Sequence, residues 1–110
     1  MITFFSSGTK RSYTDFKKQI PLQVQSLFDT LREFCLTLGD NVVEDVRMHR
    51  IVFCKSITFR WFLDVEPDND AILLKIQKSR NDPQKILKIK PNDDLDEVKE
   101  MIKDAYDTIR

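Results

Sequence analysis

Three carboxylates, Asp64, Glu66 and Asp68, fall two residues apart. On an extended chain that spacing sets them on one face, because successive strand side chains alternate. Two acids that hold a divalent cation, with a lysine to poise a water, are the chemistry of metal-dependent hydrolases and nucleases. Pro67-Asp68 resembles the start of such a site. The acid-x-Lys element that would complete it occurs downstream only as Glu97-Val98-Lys99, in a stretch of helical period. Glu44 and Asp45 are a weaker acidic pair. His49 is the only histidine, so no histidine-based metal site can be assembled, and no nucleophile motif surrounds it. Two glycines in the whole chain exclude a glycine-rich phosphate loop. These positions assign no catalytic residue, no metal ligand set and no cofactor.

A second constellation is basic. Period-two counting puts Arg60, Phe62 and Asp64 on one side of a strand and Phe59, Trp61, Leu63 and Val65 on the other. With Lys75 and Gln77 from the next strand, and Lys88 and Lys90 from the last, the first side reads as a mainly basic sheet face. Arg47, His49 and Lys55 are candidates to join it. Such a face holds phosphates through its cations and stacks a base on its aromatic. Sheet-based RNA readers carry two or three aromatics, and here Phe62 is the one so placed. The competing reading is a solvated face of a half-exposed antiparallel sheet. A one-residue change of register would exchange the two faces.

The elements that must position these residues are legible from periodicity. Pro21 fits a helix start, where its missing N–H costs nothing. Val24, Leu27, Phe28, Leu31, Phe34, Cys35 and Leu38 then recur at spacings of three and four, one apolar helical stripe. Gly39 follows where a left-handed C-terminal residue is expected. A short helical turn over Tyr13–Ile20, capped by Ser12 or Thr14, precedes it. Strands are expected from about Val42, with Val46 and Met48 alternating against Asp45, Arg47 and His49. They continue through Ile51-Val52-Phe53-Cys54, the Phe59–Val65 run, Ile72–Ile76 and Ile86–Lys90, with a turn at Pro67-Asp68-Asn69-Asp70. Pro91-Asn92-Asp93-Asp94 opens a last helix reaching Arg110, with Leu95, Val98, Ile102, Ala105, Tyr106 and Ile109 as its buried stripe. The order helix, strands, helix predicts an α+β fold: an antiparallel sheet of about four to five strands with the N- and C-terminal helices packed on one face.

The chain has 110 residues, the length of one domain, here expected over 13–110 behind a leader of residues 1–12 in which Phe4 and Phe5 stand out. Eighteen Lys and Arg balance eighteen Asp and Glu, which argues against a dedicated, strongly basic nucleic-acid binder. The balance is uneven. Residues 1–20 carry a net +3, and residues 92–110 carry a net −4. No apolar run reaches membrane-spanning length, and the N-terminus lacks signal-peptide character, so the expectation is a cytoplasmic protein with no membrane partner. Cys35, on the first helical stripe, and Cys54, within a strand, read as small buried hydrophobes rather than a disulfide or metal pair.

The order of segments also resembles a known family. Leu27-Phe28-Asp29-Thr30-Leu31-Arg32-Glu33-Phe34 closes on Leu38-Gly39-Asp40. Val42-Val43-Glu44-Asp45-Val46, Val65-Glu66-Pro67 and Ile72-Leu73-Leu74-Lys75-Ile76 follow, and the chain ends in Asp94-Leu95-Asp96-Glu97-Val98-Lys99 and Ile102-Lys103-Asp104-Ala105-Tyr106. Over about residues 20–110 this resembles small uncharacterised prokaryotic domains often labelled "predicted transport protein", which also occur at the ends of restriction- or nuclease-like proteins. Members carry a Gly-His-Trp-Gly-like segment where this chain has Asn81-Asp82-Pro83-Gln84, so no role of that segment transfers. The resemblance implies an accessory binding module without established catalytic residues.

The expectation drawn from residues and resemblance together is a non-enzymatic module that engages nucleic acid or a protein partner through the sheet face bearing Arg60, Phe62, Lys75, Lys88 and Lys90. One alternative is a small metal-dependent hydrolase or nuclease using Asp64, Glu66 and Asp68. Another is a homo-oligomerisation module, with a homodimer formed through an uncovered sheet face or edge.

Overall fold

A computed structural model describes residues 11–56, 60–79 and 81–109. A short helix α1, Tyr13–Lys17, leads into α2, Leu22–Leu36. Five strands follow: β1, Val42–Val46; β2, Ile51–Lys55; β3, Arg60–Asp68; β4, Ala71–Ile76; and β5, Lys85–Ile89. Helix α3, Asp96–Thr108, closes the order. The strands pair in sequence order, every neighbour antiparallel, so the described sheet is a five-stranded meander with β1 and β5 at its edges. This is the expected α+β fold. No helix among the described residues is long and apolar enough to cross a membrane.

Both helical stripes fall where period counting puts them. Val24, Leu27, Phe28, Leu31 and Cys35 of α2 are buried, as are Val98, Ile102, Ala105 and Tyr106 of α3. They pack on one side of the sheet against Ile51, Phe53, Leu63, Val65, Ile72 and Leu74. Fully burying an aliphatic or aromatic side chain of this kind contributes roughly 1.5–3 kcal/mol, so this layer is the main source of stability. Phe16 of α1 seals one end, its ring edge-on to Phe28 at 5.3 Å. Phe62 meets Tyr106 in the same geometry, also at 5.3 Å.

Local differences from the expectations have physical causes. Ser12 caps α1, accepting from the Asp15 N–H at 3.1 Å. Pro21 caps α2 rather than entering it. Helix α3 starts at Asp96 because Asp93 accepts from the Lys90 N–H and Asp94 from the Asp96 N–H, which holds residues 90–95 in a turn. The Met48 and His49 segment is no strand: Arg47 N–H donates to the Arg50 carbonyl and closes a hairpin turn. Strand β3 continues through Pro67, which pairs with Ile72, while β2 has already ended opposite Val65. A proline is tolerated there because no strand on that side calls for its missing N–H. The turn narrows to Asn69-Asp70, with Asn69 at φ 58°, a left-handed conformation that asparagine accepts.

Gly39 is not left-handed. Its lack of a side chain serves close packing instead: a Cβ there would run into the Tyr106 hydroxyl, which donates to Asn41 Oδ1. The expectations for the leader up to residue 10, for Phe59 and for the chain end at Arg110 lie outside the described residues.

Candidate functional site

The face of the sheet away from the helices is built by alternation. Lys55 lies on the helix side, its ammonium 4.5 Å from the Tyr106 ring centre and donating to the Ile109 carbonyl at 2.9 Å. Cys54 therefore points to the far side, together with its cross-strand partners Val43 and Trp61. Next to them the register slips. Phe53 stands opposite Leu63 and Cys54 opposite Trp61, so Phe62 is an extra residue in β3. Such a bulge lets two consecutive residues lean to one side. Phe62 turns into the core, where it is fully buried against Tyr106, and Trp61 takes the far face, half-buried.

This overturns the face assignment at Phe62. It joins the helix-side core with Leu63 and Val65, and Trp61 leaves it. Arg60 pairs with Lys55 and shares the helix side at the end of the sheet. Lys90 lies beyond the end of β5, its backbone N–H engaged by Asp93. Of Arg60, Phe62, Lys75, Lys88 and Lys90, the structure brings only Lys75 and Lys88 onto the far face, opposite Asp64 and Leu73 respectively. Lys55, too, is on the helix side.

The far face is not mainly basic. Asp45, Asp64, Glu66 and Asp68 stand there beside Arg47, Arg50, Lys75 and Lys88, and most of these charges are paired. Arg50, which sequence reasoning missed, reaches from the β1–β2 turn to both β3 acids: Nη1 to Asp64 at 2.9 Å and Nη2 to Glu66 at 3.3 Å. Pairing holds the Arg50 guanidinium still further up, the hydrogen bond to Asp64 being the largest cause. Arg47 pairs with Asp45 at 3.0 Å and Lys88 with Asp68 at 3.5 Å. Asp64 is the one buried charged residue among those described, and its Oδ1 has no hydrogen-bond partner. Val52 and Ala71, also outside the helix-side core cluster, are buried as well. Around this closed centre lie half-buried Trp61 and Leu73 and, at the β5 edge, Ile86 at 59% exposure.

The carboxylate alternation is therefore real at Asp64 and Glu66, and a guanidinium sits where a cation would have to enter. Among the described residues no group of three or more His, Cys, Asp or Glu side chains is placed to hold a metal ion. His49 is exposed in the β1–β2 turn. Cys35 is buried and Cys54 half-buried, both as free thiols, and burial pushes both thiols up from their ordinary range.

A second polar cluster joins α1, α2 and β1 on the helix side. Arg32 makes a two-point ion pair with Glu44 and lies 4.4 Å from the Tyr13 ring centre. Tyr13 donates to Asp29 Oδ1 at 2.6 Å and Lys17 to Asp29 Oδ2 at 2.7 Å. Burial, reinforced by Asp29, pushes the Tyr13 hydroxyl up. A cleft of about 510 Å³ opens beside this cluster, but its charges are satisfied internally, which marks it as a clamp holding α1 to the body.

No curated protein and no solved structure matches the chain. A family match spans residues 13–109, from the first described helix to the end of the last, and the chain belongs to the family described as Domain of unknown function (DUF5655).

Proposed function

We propose that this domain is a non-enzymatic accessory module that binds a protein partner through the far face of its sheet. One observation carries the reading: that face is a charge-balanced mosaic in which half-exposed Trp61, Leu73 and Ile86 flank ion pairs already made within the chain. A phosphate-binding surface works by unneutralised cations and counterion release. Here the guanidinium of Arg50 is taken up by Asp64 and Glu66, and the aromatic expected to stack a base, Phe62, is in the core. Aromatic and aliphatic side chains left accessible beside polar groups that are already paired instead suit a protein partner, for which an aromatic anchor supplies binding energy. The family description assigns no activity, and it lends no support to the transport label or the nuclease context that the resemblance carried.

The test uses a photo-crosslinking amino acid at Ile86, with Lys103 on the exposed side of α3 as control, in cells that naturally express the chain. A discrete protein adduct at Ile86, absent from the control and lost with Trp61→Ala, is the expected result. Adducts to nucleic acid alone, or the same adducts from both positions, overturn the reading. In vitro, the same reading expects no salt-steep binding of DNA or RNA at low ionic strength.

A further inference from the structure

The far face is bounded on one side by β5, and the outer edge of that strand pairs with no other strand among the described residues. An unpaired edge presents a row of backbone donors and acceptors ready for another strand. The other edge, β1, is centred on Glu44. A symmetric antiparallel pairing of two copies there would set carboxylate against carboxylate. Strand β5 behaves differently. Its sequence, Lys85-Ile86-Leu87-Lys88-Ile89, is centred on Leu87. Antiparallel self-pairing about that residue sets Leu87 against Leu87, Ile86 against Lys88, and Lys85 against Ile89. Edge lysines ordinarily discourage strand addition, but in this register neither faces its own copy directly.

The helix side adds charge complementarity. Leu74 and Leu87 are cross-strand partners, so Lys85, Leu87 and Ile89 lie on the helix side. Beside Ile89 opens a cleft of about 330 Å³ between β5 and α3, lined by Leu87, Ile89, Asp94, Glu97, Val98 and Met101. Among the described residues the Glu97 carboxylate and the Lys85 ammonium have no hydrogen-bond or ion-pair partner. Symmetric pairing carries Lys85 of each copy to Ile89 of the other, at the mouth of the cleft that holds Glu97. The contact is made twice, once on each side of the two-fold axis.

We propose that two copies of this chain associate through β5, joining their sheets edge to edge, with Lys85 of each copy meeting Glu97 of the other. The dimer also sets Ile86, the most exposed large hydrophobic residue of the described strands, beside the Lys88 stem of the other copy on one continuous far face. It places the two far faces side by side, so that a partner with repeated motifs would be held bivalently. The interface is small, below the standard size class, so the association is weak, with a Kd on the order of tens of micromolar.

Sedimentation velocity of the full chain, from about 10 μM to about 1 mM, tests this. The expected result is a concentration-dependent shift from monomer to dimer. Lys85→Glu and Glu97→Lys each weaken it by about tenfold or more, because each reversal acts at two contacts, and the double variant restores it to within about threefold. Both residues are exposed, and circular dichroism confirms that the variants fold. Ile86→Lys, at another exposed position, sets lysine against Lys88 and abolishes the dimer. A chain that stays monomeric at the highest concentration overturns the proposal. So does a dimer indifferent to all these variants, or one in which the charge-swapped pair fails to recover.

Discussion

The two faces of one sheet, built from the same five strands, are held by different forces. On the helix side, aliphatic residues of β2, β3 and β4 meet two apolar helical stripes, and burial supplies the energy. On the far side, Arg50 bridges Asp64 and Glu66, and Lys88 reaches Asp68. On the first face no buried side-chain polar atom of the described residues lacks a hydrogen-bond partner. The second leaves the buried Asp64 Oδ1 without a hydrogen-bond partner among the described residues, so its charge rests on the Arg50 pair at Oδ2. Burial makes a face stable but sensitive to any change of volume, while paired charges make a face sensitive to the loss of either partner.

Exchange of the two adjacent aromatics is the sharpest way to break this comparison. Phe62→Ala removes a fully buried ring and is expected to cost about 3–5 kcal/mol. Trp61→Ala, on the half-buried far face, is expected to cost no more than about 1.5 kcal/mol. Urea denaturation of both variants decides, and equal losses would mean that β3 has no bulge at Phe62. Arg50→Ala comes next. It strands the carboxylate of buried Asp64 and is expected to cost about 2–3 kcal/mol, whereas Arg50→Met combined with Asp64→Leu recovers most of that loss. A double variant as unstable as Arg50→Ala would assign the loss to packing rather than charge.

Gly39→Ala probes the helix side at its tightest approach. The added methyl meets the Tyr106 hydroxyl, at an expected cost of about 1–3 kcal/mol. In a Tyr106→Phe background the same change costs less, and a thermodynamic cycle over the four proteins measures the coupling. The smallest effect is expected at Asp29. Burial opposes ionisation of its carboxyl, but hydrogen bonds from Lys17 and Tyr13 outweigh it and hold the group below the usual carboxylate range. A depressed native pKa adds stability that is present above the unfolded value, about 4, and is lost as pH falls through the native value. Because the pair is about one-third exposed, Asp29→Asn is expected to cost below about 1 kcal/mol at neutral pH. The gap from the unaltered chain closes in strongly acidic buffer, and a gap that persists there would locate the effect elsewhere.

Much of this molecule is written in its amino-acid periodicity. Val24 to Cys35 and Val98 to Tyr106 repeat at helical spacing, and Ile72, Leu74 and Ile76 alternate as they must when one sheet face is buried. Helix–strands–helix order with short connections then leaves few arrangements besides a meander under two helices. Which side chains of β3 face away from the helices was not legible. Trp61 and Phe62 are adjacent and both large, so period-two counting through Phe59 and Leu63 assigns them to the wrong sides. The bulge that reverses them exists because β2 and β3 slip by one residue when packed, and no local propensity encodes that slip. Arg50 was invisible for a related reason: it works from a hairpin turn on acids fourteen and sixteen residues away. Gly39 looked like a backbone requirement and proved to be a spatial one, set by Tyr106 from the far end of the chain. Local spacing determined the elements and their buried stripes, because a helix or a strand presents its side chains at a fixed period. Only the tertiary structure decided which charges meet and which aromatic faces outward, because those depend on register and on residues that are neighbours only in space.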